Sequence, residues 1–196
     1  MLLKRLIFIV LLFWSVSVYA QTNDDNREKM MQCALQKISQ LNDYISLMSD
    51  KSIDMTVRNK YRQAALNLFI GNGDPFEEQG IYNSGVKIIV TSSNQNKPTR
   101  SLVKNYLARL VNLQCPNIEL QSSEFYMMDL SELHHISENK YVCGVCYKQK
   151  FVGYRDERPM YSDCIKRINV YITLEHTIDG LNYIVLLGDI SAIETD

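Results

Sequence analysis

Little in this chain is in excess, and each shortage closes off a class of function. Charge is nearly balanced, 21 Lys+Arg against 22 Asp+Glu for a net −1, so no basic surface of the kind that holds nucleic acid is present. Cysteine is sparse. Five thiols in 196 residues, Cys33, Cys115, Cys143, Cys146 and Cys164, are too few for a disulfide scaffold, and an odd count leaves at least one unpaired within the chain. Most of them read as small apolar core residues. No long apolar run follows the first 20 residues. A G-x-S-x-G elbow, an H-E-x-x-H pair and a nucleotide loop are all missing, which removes the best-marked hydrolytic, zinc and phosphate chemistries. No cofactor and no metal are implied.

What is present begins with an export signal. Lys4 and Arg5 precede a continuous apolar run from Leu6 to Trp14, and small residues lead to Ala20. That is the three-part pattern of a secretory leader, with an apolar run shorter than the roughly 20 residues a membrane span needs. Gln21 rather than cysteine follows the expected cut, so a lipid anchor is not indicated. The expectation is a signal peptide over 1–20, one α+β domain over 21–196, and a periplasmic or extracellular location with no membrane span after cleavage. Losing Lys4 and Arg5 takes the net charge from −1 to −3.

Periodicity then orders the elements. Asp25 and Glu28 read as a capping-box variant. Met30, Ala34, Leu35, Ile38, Leu41, Tyr44, Ile45 and Met48 recur at helical spacing. Val57, Tyr61, Ala64, Ala65, Leu68 and Phe69 repeat that spacing in a second helix, ended by Gly71-Asn72-Gly73-Asp74-Pro75. Alternation over 85–93 predicts a strand, and Pro98 or Thr99 opens a third helix through Leu110. Strands are expected near 117–128, 140–154, 160–177 and 182–193, with Asp179-Gly180 turning the last pair. The stretch 130–138 reads as a loop or broken strand.

Helices first and an antiparallel meander last define an α+β layer architecture. In element order and length, 25–193 resembles the nuclear transport factor 2-like (cystatin-like) fold. The resemblance implies N-terminal helices packed on a strongly bent antiparallel sheet, with a pocket inside the cone. Many small exported bacterial proteins share that layout without an assigned activity. One clear strand precedes the third helix where the fold often has a pair; residues 79–84 are the weak candidate for the other.

The conspicuous motifs have plain readings. Cys143-Gly144-Val145-Cys146 lies inside an alternating strand, which puts its sulfurs on opposite faces and not at a helix N-terminus. Cys164 falls on the inward phase of the next strand and could meet Cys143 in a disulfide if the register allows. His134-His135 cannot converge on one ion, because adjacent side chains diverge; a solvated loop pair is expected. Gly71-x-Gly73 follows a helix instead of opening one, so it cradles no phosphate. Arg155-Asp156-Glu157-Arg158 reads as a charged hairpin tip.

Three residues keep an enzyme in view. His176 continues the inward phase of Ile168 to Leu174, and Asp189 that of Tyr183, Val185 and Leu187. In enzymes of the cone fold such residues do acid–base work in the pocket, and an Asp in an apolar mouth could serve as a base. Tyr141, Tyr147, Tyr171 and Tyr183 supply the other signal, since tyrosine suits both strands and contact surfaces. The preferred reading is a non-enzymatic exported domain binding a protein partner or small ligand through its sheet face or cone pocket. A lyase- or isomerase-type pocket enzyme is the alternative. A component of an envelope assembly, with a homodimer through the sheet, is another.

Overall fold

The computed structural model describes the backbone of residues 2–78, 80–92, 95–112, 118–127, 134–155 and 158–193, and the side chains of 25–77, 80–90, 98–112, 134–149 and 165–192. The fold is α+β. Helices α1 (Leu2–Ser49), α2 (Met55–Leu66) and α3 (Val103–Asn112) pack with a large open sheet.

The first helix does not start at Asp25. It runs unbroken from Leu2, because neither glycine nor proline interrupts the chain before residue 50. Its apolar stripe is the one its spacing predicts: Met30, Ala34, Ile38, Leu41, Ile45 and Met48 are buried. A short turn follows, in which Asp50 Oδ1 accepts from the Ser52 amide at 2.8 Å. Asp54 then caps α2, accepting the Thr56 amide at 2.7 Å.

Helix α2 ends three residues earlier than its apolar pattern. Leu68 and Phe69 leave the helix and run beside the last strand, where Phe69 bridges Leu187 and the Leu187 amide donates to the Leu68 carbonyl at 2.8 Å. Burying Phe69 completely outweighs another half-turn of helix, since a fully buried aromatic contributes roughly 1.5–3 kcal/mol. Gly71, Asn72 and Gly73 then take φ of 66°, 53° and 79°. They shape a left-handed turn after the bridge instead of capping the helix. A side chain on Gly71 would meet Phe76 Cδ1 at 2.7 Å.

Strands β1 (Phe76–Glu78) and β2 (Ile81–Asn83) form a separate two-stranded ribbon. Strand β3 (Lys87–Ser92) returns as β4 (Gln95–Leu102), so the third helix begins at Val103 and not at Pro98 or Thr99. The open edge of β3 takes these residues as backbone partners. Pro98 falls at the register shift of this edge strand, where its missing amide breaks no central ladder. Two strands of the large sheet, β3 and β4, therefore precede α3, and residues 81–83 belong to the separate ribbon instead. Helix α3 buries Val103, Leu107, Leu110 and Val111, and the Arg58 guanidinium and Lys51 ammonium both donate to the Val111 carbonyl, at 2.8 and 3.1 Å.

The C-terminal half supplies β5 (Ile118–Met127), β6 (His134–Ser137), β7 (Lys140–Arg155), β8 (Arg158–Thr177) and β9 (Gly180–Ile193). Sheet order is β4-β3-β9-β8-β7-β5, with β6 also on β7. Among the described residues all strand pairings are antiparallel except β3–β9, and the isolated Phe69–Leu187 bridge is parallel too. Ile178 and Asp179 make the last turn and Gly180, φ 122°, opens β9. Arg155 pairs with Arg158, as a tip at 156–157 requires; Asp156 and Glu157 lie outside the described residues. One apolar core draws on all three helices and on β3, β7, β8 and β9.

Candidate functional site

The alternation expected of β7 holds. Tyr141, Cys143, Val145 and Tyr147 face the helices, and Gly144 and Cys146 lie on the other face. Two phases carried into this core end in polar residues. Gln149 continues the inward series of β7, and Lys166 that of Ile172, Val170 and Ile168 on β8. On α1, Asn42 stands in line with Ala34 and Ile38, at a position the stripe would give to an apolar side chain.

These three are 4, 7 and 5% exposed for Gln149, Lys166 and Asn42. Gln149 Nε2 donates to Asn42 Oδ1 at 2.9 Å, tying β7 to α1. Lys166 stands opposite Tyr147, and Gln149 opposite Cys164, two positions along β8. Lys166 and Gln149 are thus diagonal neighbours on the inward face, about 7 Å apart at the backbone. Asn42 Nδ2 is buried with no acceptor among the described residues. An orphaned buried donor costs about 1–3 kcal/mol. The periodicity held a signal for this cluster: each member breaks the apolar pattern of its own element.

The acid–base candidates do not assemble. His176 is exposed beside the hairpin end, opposite Leu181. Tyr183 is half-buried and its hydroxyl donates to Asn26 Oδ1 of α1 at 2.9 Å. Burial, with Cys33 nearby adding to it, pushes the Tyr183 phenol above its ordinary value. Asp189 does not continue the inward phase. Ile168 pairs with Ile190 but Val170 with Leu187, so Gly188 and Asp189 form a bulge opposite Asn169. The extra residue hands the inward position to Ile190, 4% exposed. Asp189 Oδ1 instead accepts the Lys87 amide at 2.8 Å. His176 and Asp189 are separated by roughly 27 Å of strand.

The tyrosines divide. Tyr147 is 1% exposed and belongs to the core, so it serves no contact surface. Tyr141 packs against the core and meets His135 edge-on, 5.1 Å between centroids. Tyr171 is on the outer face, with its ring over Gly188: a side chain there would meet Tyr171 Cε2 at 2.6 Å. His134 and His135 lie on β6, not in a loop, paired with Val142 and Tyr141. Among the described residues no group of three or more His, Cys, Asp or Glu could hold a metal ion.

The disulfide expectation fails on register. Cys143 lies opposite Val170 and Cys164 opposite Gln149, about 20 Å apart along the ladder at 3.3 Å per residue. A disulfide needs α-carbons within about 7 Å. Cys33 is a free, half-buried thiol on α1. Cys115 lies outside the described residues.

Among the described residues, no helix is long and apolar enough to cross a membrane. No protein-family model matches the chain, and no curated protein matches it in sequence.

Proposed function

We propose that the protein is an exported, non-enzymatic binding domain of nuclear transport factor 2-like layout, and that the inward face of its sheet takes a small ligand. One observation carries this reading: Asn42, Gln149 and Lys166 are buried polar residues on the inward phases of α1, β7 and β8, and the Asn42 Nδ2 donor has no acceptor among the described residues. Buried groups that cost stability are characteristic of sites kept for function. Asn42 Nδ2 and the Lys166 ammonium are both donors, so the matching ligand offers an acceptor oxygen on an apolar body, such as a short acyl carboxylate.

Thermal unfolding in hexanoate tests it. Binding to the folded state alone raises the midpoint, by about 2.7 kcal/mol of stability at a hundredfold excess over Kd. Lys166→Met and Asn42→Leu should raise the ligand-free midpoint and abolish the response. A wild-type midpoint indifferent to hexanoate and hexanol alike refutes the reading.

A further inference from the structure

A second candidate site lies on the flanks of α2 and α3. Arg62 and Gln63 of α2, Asn72 and Asp74 of the left-handed turn, and Lys104 and Asn105 of α3 line a cleft of about 270 Å³, with Leu66 and Ala108 as its apolar wall. The cleft exists because α2 stops early: the chain crosses to β9 at Phe69 and doubles back through Gly71–Gly73, which sets the turn's polar side chains against two helix flanks.

Its charges are unequally committed. Lys104 Nζ and Asp74 Oδ1 pair at 2.9 Å on the rim, with side chains 38 and 70% exposed. Among the described residues Arg62 has no carboxylate partner. Its Nε is buried and no described residue accepts a hydrogen bond from it. A guanidinium spends its donors in planar forks that match a carboxylate edge-on, and with Nε shut off from the cleft the Nη1–Nη2 edge is the fork a ligand can use. The carboxamides of Asn72 and Asn105 can donate to other oxygens of the same molecule, and Gln63 has one N–H left beyond its 3.4 Å bond to Asn67 Oδ1. The volume falls just below the range of about 300–1,000 Å³ that suits drug-sized ligands, so the occupant is small.

We propose that this cleft is a binding site for a small carboxylate, a molecule of a few carbons held by a two-pronged contact to Arg62, independent of the ligand in the cone. Calorimetric titration of purified protein with malonate, and separately with inorganic phosphate, tests it. Saturable malonate binding is expected, abolished by Arg62→Met, weakened by roughly tenfold in Arg62→Lys, which keeps the charge and loses the fork, and unchanged in Lys166→Met. Arg62→Lys decides the matter if Arg62→Met does not fold. Absence of saturable binding, wild-type affinity in both Arg62 variants, or phosphate bound more tightly than malonate overturns the assignment. Loss of malonate binding in Lys166→Met alone would place the anion in the cone and overturn it equally.

Discussion

The Asp189 carboxylate accepts the backbone amide of Lys87 at 2.8 Å, across 102 positions of sequence. This contact sits where β3 joins β9 in a parallel pairing, with Ile88 opposite Ile190. Parallel ladders are slightly weaker per residue than antiparallel ones, and the side chain supplies a bond the ladder there would otherwise lack. Asp189→Ala should destabilise the protein by about 1.5–3 kcal/mol, read by urea unfolding. Asp189→Asn, which still offers an oxygen, should lose less. Faster hydrogen exchange at the Lys87 amide in the alanine variant would localise the effect.

Tyr183 makes stability depend on alkaline pH. Its phenol is raised by burial first and by Cys33 second, from an ordinary value of 10.0. The folded state therefore holds this proton when the unfolded chain has released it, so unfolding stability falls as pH rises. The contribution is complete below the ordinary value and is lost as pH climbs through the folded one. Tyr183→Phe should flatten that alkaline slope. At neutral pH it should cost about 1 kcal/mol for the lost bond to Asn26.

Asp54 works at the other end of the scale. Accepting the Thr56 amide holds its carboxyl below the ordinary 3.8. Its stabilisation is present above that value and is lost as pH falls through the folded one. Asp54→Ala should lower the thermal midpoint at pH 7 and converge on wild type in acid. Asp54→Asn should stay close to wild type at pH 7.

Arg58 is 7% exposed, and its guanidinium spans two helix ends: Nε donates to the Ile53 carbonyl at 3.0 Å and Nη1 to Val111 at 2.8 Å. A cation suits the C-terminus of α3. Arg58→Met should cost about 1.5–3 kcal/mol by chemical unfolding, and Lys51→Met distinctly less, because its contact to the same carbonyl is longer and half-exposed.

Peptide mapping without reduction should find no Cys143–Cys164 bridge, since the β7–β8 register separates the two. A bridged peptide would show that the register slips in solution.

Much of the fold was legible because burial writes itself as a period. Met30 to Met48 on α1 and Ile168 to Ile172 on β8 are buried where their spacing puts them, since an apolar residue at every third or fourth, or every second, position leaves one arrangement that buries them. The failures lie where two local readings compete. Pro98 is as fit for a helix start as for an edge strand, and only the vacant side of β3 settles the matter. Leu68 and Phe69 fit the α2 stripe equally well as a helical turn or as a bridge to β9. The candidate site is not legible in any one stretch: Asn42, Gln149 and Lys166 each break the apolar pattern of their own element, but they come from three distant segments, and only the fold brings Asn42 to Gln149.

By itself the amino-acid order determined the α+β class, the long first helix's buried face, the antiparallel run from β7 to β9 and the divergence of the paired cysteine and histidine side chains. These follow from local steric periods, which need no knowledge of what lies across the core. Tertiary structure alone decided the β9 bulge that turns Asp189 toward Lys87, the early end of α2 that opens the Arg62 cleft, and the meeting of Asn42 with Gln149. Each depends on which surfaces happen to be adjacent after collapse. That adjacency is set by total burial over the whole chain and not by any window of it.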